Sequence, residues 1–310
     1  MDAGPSLWLE LTPHCNLDCQ FCYNPWRPAA VTDYPAMSDG AQYVQNVLRL
    51  VEHVDFAYVA LSGGEPLLYR GLDDLVRVLH EHGQHTILTT NGRLAGRARL
   101  EALGALGLSA VQVPILAASP EIHDRLAGRA CWREAILTLA LTLELGLQAI
   151  VIFVTTGMNV HELPRVLRMV AAMGGRHVIM SELQPVGSAV NHADGLSLTG
   201  EAFVEAAAKG VAFAAEAGMS LKVVRHAANL AEGLDFSRGP WSRWTLTPSA
   251  ELKICNFSAK TLGRVTDMPE PSFRRLVDDL QGGRVTAYTD SVDNCACLRA
   301  ASAVDAVTGR

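Results

Sequence analysis

The sequence of 310 residues lacks the features that mark membrane, secreted and nucleic-acid-binding proteins. No apolar run reaches the roughly 18 residues of a membrane span, so no membrane association is expected. The N-terminus, MDAGPSLWLE, has no basic segment followed by an apolar one, which argues against a signal peptide. A formal charge of −6 leaves no excess of basic residues, so a nucleic-acid partner is not expected either.

Cysteine is also scarce, with seven in the chain, and three of the seven stand close together. Such clustering is typical of metal or cluster binding in a reducing cytoplasm rather than of disulfides, so we expect a cytoplasmic protein. With 49% hydrophobic residues, the chain has enough apolar material for a large core, either one barrel or a barrel with a small domain.

The clustered cysteines are Cys15, Cys19 and Cys22, in the order C-x3-C-x2-C within LTPHCNLDCQFCYN. Three thiolates on one loop can hold three irons of a [4Fe–4S] cube and leave the fourth iron open to a small molecule. The alternative is structural zinc, which needs four ligands, and His14 is the candidate for the fourth. An apolar strand, LWLEL, leads into the loop, and LSGGEP follows at residues 61–66.

This combination resembles the radical SAM superfamily. The signature of that family is C-x3-C-x-aromatic-C after a first strand, with Phe21 as the aromatic residue here, and GGEP at the end of the second strand. The resemblance implies a [4Fe–4S] cluster on Cys15, Cys19 and Cys22, with S-adenosylmethionine chelating the open iron. It also implies reductive cleavage of S-adenosylmethionine to a 5′-deoxyadenosyl radical, which abstracts a hydrogen from the substrate. An electron donor such as flavodoxin or ferredoxin would be a partner.

Candidate cofactor-binding residues lie in the cysteine loop and at the carboxyl ends of the predicted strands. Glycine lets a backbone approach a ligand closely, and Glu65 can accept a hydrogen bond from the methionine ammonium. For two of these positions the alternative to ligand contact is purely structural: Asn91–Gly92 is a common turn pair, and Thr155 is an ordinary strand residue. At Pro114 many relatives have a serine that meets the cofactor ribose, so that contact must come from elsewhere. The full set is Phe21, Gly63, Gly64, Glu65, Pro66, Thr90, Asn91, Thr155 and Gln184.

Apolar β-rich runs alternate with helix-like stretches through the first half of the chain. Six strands, each separated by a helix, indicate parallel strands joined by crossover helices. We expect an α/β fold, a partial (β/α)6 TIM-like barrel, with ligands at the carboxyl ends of its strands. The runs after LWLEL lie at 57–63, 85–92, 109–117, 147–156 and 177–187.

The second half changes character, because residues 200–232 are Ala-rich and predict one or two helices. Residues 245–267 resemble the short β-hairpin of the SPASM and twitch extensions of radical SAM enzymes. We therefore predict a barrel domain over residues 1–195 and a small twitch-like extension over residues 196–310.

The extension contains three cysteines, Cys255, Cys295 and Cys297. The resemblance implies that they could hold an auxiliary iron–sulfur cluster, with Cys295 and Cys297 as metal ligands. The match is incomplete, since no cysteine lies between Cys131 and Cys255, so the alternative is that some of these thiols are free. Cys255 is then the candidate catalytic hydrogen donor, and Cys131 is either a thiol near the site or a small core residue.

The substrate class stays open between two enzyme hypotheses. In its size and truncated tail the chain resembles small radical SAM epimerases of aminoglycosides, such as neomycin C epimerase. Their substrates are cationic and sugar-like, which suits the net negative charge of this chain. That reaction is redox-neutral and uses a cysteine hydrogen donor. The alternative is a dehydrogenase or a peptide-modifying enzyme with an auxiliary cluster, although only about six residues precede the first strand, which disfavours an N-terminal leader-binding domain. A non-catalytic zinc module is the third possibility.

Overall fold

The computed structural model describes residues 4–24, 40–225, 243–254, 256–257 and 261–281. The strands of this part of the chain are β1 (Ser6–Glu10), β2 (Tyr58–Ser62), β3 (Thr86–Thr89), β4 (Ala110–Pro114), β5 (Gln148–Thr155), β6 (His177–Glu182), β7 (Ser220–Val224), β8 (Arg243–Leu246), β9 (Glu251–Lys253) and β10 (Gly263–Arg264). The α-helices are α1 (Gly40–Val51), α2 (Leu72–Glu81), α3 (Arg97–Ala105), α4 (Pro120–Ala127), α5 (Trp132–Glu144), α6 (Leu163–Ala172), α7 (Ala193–Leu196), α8 (Gly200–Glu216) and α9 (Glu270–Gln281). Strands and helices alternate from β1 to β6, as the sequence predicts.

The described residues form two compact units. The first unit comprises residues 4–14, 40–86 and the described residues from 243 onward, and the second comprises residues 15–24 and 87–225. The domain boundary that the sequence suggests near residue 195 stays a prediction.

The first unit is organised around β1. This strand pairs in parallel with β2 on one side, where Leu7 lies opposite Val59, and with β8 on the other, where Leu7 lies opposite Trp244. The antiparallel strands β9 and β10 continue the sheet beyond β8, so the hairpin predicted in the extension is present. Leu7 and Leu9 have no exposed surface, which makes β1 the buried centre of this sheet.

Helices α1 and α9 pack together in the same unit. Tyr43, Val47 and Leu50 recur at the helical spacing on α1, and all three are buried. On α9, Phe273 is fully buried, and the Arg49 guanidinium lies 4.0 Å from the centre of its ring. Arg49 also donates to the carbonyls of Val265 and Met268, each at 2.9 Å. The described residues from 243 onward are therefore built into the first unit.

A buried ion pair connects β1 to the hairpin. Lys253 Nζ lies 3.7 Å from Glu10 Oε2, and the two side chains are 3% and 1% exposed. Burial raises the pKa of Glu10 above its ordinary value, and the Lys253 charge opposes this rise. Removing water from two charges costs free energy, which their mutual attraction and a contact of Lys253 Nζ with Asn256 O at 3.5 Å offset, so each partner depends on the other.

The second unit is a parallel sheet in the order β3-β4-β5-β6-β7. Residues Ser220–Val224 correct one expectation, because they form β7 and pair with β6, with Val223 opposite Met180, rather than continuing a helix. Gly218 explains the break: its φ of +63 is a left-handed conformation that ends a helix and favours glycine. The part of the 200–232 helical prediction beyond residue 225 lies outside the described residues.

In the described part of the chain, none of the helices combines the length and the apolar character that crossing a membrane requires.

Replacing Lys253 with Met should destabilise the protein by roughly 3–5 kcal/mol, because the Glu10 carboxylate is left buried without its cation. The loss of folding stability in this variant should be larger near pH 8 than near pH 5. With the pKa of Glu10 above its ordinary value of 4.5, the unfolded chain ionises first as pH rises, and the folded state loses relative stability. Thermal melting of the reconstituted protein at both pH values measures the effect. The double variant Glu10→Gln/Lys253→Met should recover most of the loss, and no recovery would contradict a coupled pair.

Candidate active site

The GGEP segment of the first unit is hydrogen-bonded to the residues that lead into Cys15. Gly64 N donates to Thr12 O at 2.7 Å, and Glu65 N donates to His14 O at 2.8 Å. A Cβ added to Gly64 would lie only 2.0 Å from His14 O, so no other residue fits this approach. Gly63 has a φ of +116, a backbone conformation that also favours glycine. The two glycines therefore hold the GGEP turn against the chain just before the first cysteine.

Glu65 and Pro66 begin a short 3-10 helix, Pro66–Leu68, directly after these glycines. Glu65 Oε1 accepts a hydrogen bond from Leu67 N at 3.1 Å and caps this helix. The residue is only 1% exposed. The turn itself thus orients the carboxylate that the sequence proposes as an acceptor for the methionine ammonium.

The cysteine loop belongs to the second unit and is anchored by main-chain contacts. Asp18 N donates to Ala127 O at 3.3 Å, and Gln20 N donates to Leu126 O at 2.9 Å, so the end of α4 holds the middle of the loop. Gly128 follows directly, where a Cβ would lie 2.3 Å from Asp18 O. Farther along, Ser188 N donates to the carbonyl oxygen of the third cysteine at 2.8 Å.

The three thiols fit the cluster that their spacing predicts. Cys15, Cys19 and Cys22 are all half-buried, which leaves them accessible on a loop whose backbone is held. Cys15, Cys19 and Phe21 pack against an apolar cluster, which is made of Leu17, Leu116, Leu126, Ala127, Cys131, Ala189 and Leu196. Three thiolates can bind three irons of a [4Fe–4S] cluster and leave the fourth open. The apolar wall limits solvent exposure, which is one of the factors that set the reduction potential of such a cluster.

Thr90 and Asn91 follow β3 in the second unit. Thr90 is 1% exposed, and its Oγ1 accepts from Gly92 N at 3.2 Å within the turn. The side chain of Asn91 reaches the cysteine loop instead. Its Nδ2 donates to Asn16 Oδ1 at 2.7 Å and lies 3.8 Å from Cys15 Sγ. The structure therefore brings Asn91 to the predicted metal ligands.

Thr155 and Gln184 lie at the carboxyl ends of neighbouring parallel strands. Thr155 is 1% exposed, and its Oγ1 has no hydrogen-bond partner among the described residues. It lines a pocket of about 180 Å³ together with Glu182 and Phe203. Gln184 is buried after β6, and its Nε2 donates to Leu183 O at 3.3 Å. A buried hydroxyl without a partner at a pocket wall is suited to a polar ligand.

Two residues that the sequence analysis did not single out also contact this region. Arg93 donates from its guanidinium to the carbonyl oxygen of Asn16 at 3.0 Å. Asn16 is thus held at its carbonyl by Arg93 and at its side chain by Asn91. Both lie in segments that the motifs cover, CNLDC and TTNGR. The strand-end rule places the two segments at the same edge of the sheet, but it does not say which side chains meet.

A second group of titratable residues adjoins the apolar cluster, of which Cys131 is a member. Leu116 N donates to His123 Nδ1 at 3.2 Å, so the ring proton is on Nε2, which lies 3.5 Å from Cys131 Sγ. Asp124 Oδ1 accepts from the backbone N atoms of Cys131 and Trp132, each at 2.8 Å. The ligand atoms of the three titratable residues lie within 4.8 Å of one another, a spacing that a metal could use. A metal on Nε2 would require a proton at Nδ1, where Leu116 already donates, so this arrangement holds helices together instead.

Burial determines the protonation of this pair. It raises the pKa of Cys131 to about 12 and lowers the pKa of His123 to about 4. Cys131 is 2% exposed and therefore a neutral thiol in the core. Of the two alternatives for Cys131, its position favours the core residue.

The remaining predicted site residues, Cys255, Cys295 and Cys297, lie outside the described residues. Their roles as hydrogen donor or as ligands of an auxiliary cluster stay predictions.

Substitution of Gly64 by Ala should lower the iron bound per chain after anaerobic reconstitution. The added methyl group collides with His14 O, and the displacement passes along the chain into Cys15. The measurement is iron per chain by colorimetric assay and by the absorbance of the cluster. Gly96→Ala is the matched control, because a Cβ there has nothing within 4 Å. Equal iron in the two variants would contradict the packing argument.

The acid sensitivity of the fold should depend on His123. Because burial lowers its pKa from 6.5 to about 4, the unfolded chain takes up a proton first as pH falls through this window. Stability on the order of 3 kcal/mol is present above about pH 6.5 and is lost as pH falls to about 4. His123→Asn keeps an acceptor for Leu116 N and removes the titrating group. Melting temperatures across this window should fall less steeply in the variant than in the wild type, and parallel curves would refute the assignment.

The comparison with protein families identifies the first half of the chain. The radical SAM superfamily matches residues 9–170, just over half of the protein. Among curated relatives, PqqA peptide cyclase of Rhodopseudomonas palustris is 31% identical over 185 residues, which are 59% of this chain and 48% of the relative. The same enzyme of Bradyrhizobium diazoefficiens is 29% identical over 185 residues, with the same coverage. The chain thus spans about half the length of the curated relatives it matches.

Solved structures share the fold over most of the chain. SuiB of Streptococcus suis, bound to its precursor peptide SuiA, aligns with a TM-score of 0.71 at 14% identity, covering 92% of this chain and 67% of SuiB. The protein anSMEcpe with bound AdoMet aligns with a TM-score of 0.67 at 17% identity, covering 86% of this chain and 76% of its own. At these identities the likeness shows the fold alone, and it confirms the α/β partial barrel.

The cysteine loop, the GGEP turn and the family match agree on the cofactors, a [4Fe–4S] cluster and S-adenosylmethionine, and set the zinc alternative aside. The chain belongs to the radical SAM superfamily.

Proposed function

We propose that this radical SAM enzyme modifies a peptide. The observation that carries the proposal is the 31% identity to PqqA peptide cyclase over 185 residues. The fold adds support, because SuiB and anSMEcpe have both been solved with peptides bound. The peptide-modifying alternative is thereby favoured over the aminoglycoside epimerase, and a peptide replaces the cationic sugar as the proposed substrate.

The residues of the site divide into those that would hold the cluster and those that would hold S-adenosylmethionine. Cys15, Cys19 and Cys22 would bind three irons, on a loop whose backbone α4 already anchors. When bound, the two cofactors supply a 5′-deoxyadenosyl radical that abstracts a hydrogen atom from the substrate. Glu65, oriented by its own turn, would accept a hydrogen bond from the methionine ammonium.

The pocket at Thr155 is the proposed place for a polar part of S-adenosylmethionine in the second unit. Its buried hydroxyl is without a partner in the described chain, and a bound ligand would supply one. Gln184, which follows β6, is proposed to bind S-adenosylmethionine through its side-chain amide. The apolar surroundings of the cysteine loop would exclude water from the reactive species.

The epimerase hypothesis depends on a hydrogen-donating thiol, for which Cys255 is the candidate. The peptide proposal instead favours Cys255 as a ligand of an auxiliary iron–sulfur cluster, together with Cys295 and Cys297. An electron donor such as flavodoxin or ferredoxin remains the proposed protein partner.

The experiment measures 5′-deoxyadenosine formed by the reconstituted enzyme with S-adenosylmethionine and dithionite. Heat-treated extract of the source organism, either protease-digested or mock-digested, is the substrate source. We expect the mock-digested extract to raise 5′-deoxyadenosine several-fold and protease digestion to abolish the increase. The triple variant Cys15→Ala/Cys19→Ala/Cys22→Ala is the control and should form none. Protease-resistant stimulation, or stimulation by neomycin C alone, would reject a peptide substrate in favour of a small molecule.

A further inference from the structure

Asn91 occupies a position between the end of β3 and the first cysteine of the loop. Its Nδ2 lies 2.7 Å from Asn16 Oδ1 and 3.8 Å from Cys15 Sγ. An amide nitrogen carries two hydrogens, so one can go to the oxygen and the other to the sulfur. Both acceptors lie on the cysteine loop, which makes Asn91 a direct link between β3 and the predicted cluster ligands.

The orientation of the Asn91 amide follows from a third contact. Its Oδ1 accepts a hydrogen bond from Arg93 N at 3.0 Å, closing a turn at the end of the strand. A flipped amide would place its NH2 group against this N–H donor and its oxygen against the sulfur. Only the observed orientation satisfies the donor, so the NH2 group faces Cys15.

Arg93 adds a fixed positive charge to the same place. Its guanidinium donates to Asn16 O at 3.0 Å, so it is held beside the loop rather than extended into water. Thr138 supports the turn from the other side, where its Oγ1 shares one hydrogen between Glu134 O at 2.8 Å and Gly92 O at 3.2 Å. The turn after β3 is therefore pinned on both sides, which restricts the motion of Asn91.

We propose that Asn91 is a positioning residue that donates a hydrogen bond to the Cys15 sulfur and so raises the reduction potential of the cluster. This role differs from the contact with S-adenosylmethionine that the strand-end position alone suggests. A hydrogen bond to a ligating sulfur draws electron density from it and stabilises the reduced, more negative cluster. Asn91 thus makes the electron that starts the reaction easier to deliver, whatever the substrate is.

The test is an EPR-monitored redox titration of the reconstituted protein without S-adenosylmethionine. Asn91→Leu keeps a similar shape and removes the donor. We expect the ratio of reduced to oxidised cluster at a fixed potential to fall roughly tenfold, which corresponds to a midpoint shift of about −59 mV for one electron. Asn91→Ser retains an acceptor for Arg93 N but cannot reach the sulfur, and should show the same direction of change.

The control is Thr138→Val, which disturbs the same turn from its far side without touching a sulfur, and its midpoint should equal that of the wild type. Binding of labelled S-adenosylmethionine by equilibrium dialysis is the second readout, and both Asn91 variants should stay within twofold of the wild type. A wild-type midpoint in Asn91→Leu and Asn91→Ser would overturn the proposal. So would weakened cofactor binding at an unchanged midpoint, or loss of iron from both variants, since Asn91 would then be a cofactor ligand or a purely structural residue.

Discussion

The predicted cluster chemistry depends on one short loop, which has to present the thiols of Cys15, Cys19 and Cys22 together. The loop has no regular secondary structure of its own, and main-chain groups outside it supply the order that it lacks. The carbonyls of Leu126 and Ala127 accept from its middle, and Ser188 N donates to its end at Cys22. Because α4 must end for its last carbonyls to be available, the left-handed Gly128 after it is as much a part of the site as the cysteines.

The C-terminal extension has a structural role in the first unit besides any catalytic one. Its strand β8 lies beside β1, so the strand that precedes the cysteine loop is an interior strand and not an edge. Lys253 and Glu10 add a buried charge pair across this arrangement, which is costly to break from either side. Stability of the first unit and the position of the segment before Cys15 are therefore coupled.

Local patterns identified most of the architecture, and their failures have physical causes. The alternation of apolar runs predicted β1 to β6, because each run carries its own periodicity. The same method missed β7, since the Ala-rich pattern of the preceding helix was extended over it. The strand is stabilised by its pairing with β6 and by packing of Leu221 and Val223 on the core. Asn91 was predicted at the site from its strand-end position, but its orientation toward Cys15 required knowledge of where the loop lies.

The sequence by itself determined the family and predicted the metal ligands, because three cysteines at fixed spacing and a glycine pair carry their chemistry within a few residues. It also predicted that a close backbone approach requires glycine at position 64, but not that the approaching atom is His14 O. Tertiary structure alone decided that the Asn91 amide faces Cys15, that Arg93 contacts Asn16, and that Cys131 is a neutral core thiol. These properties arise from contacts between residues far apart in the chain and from burial, neither of which a local pattern contains.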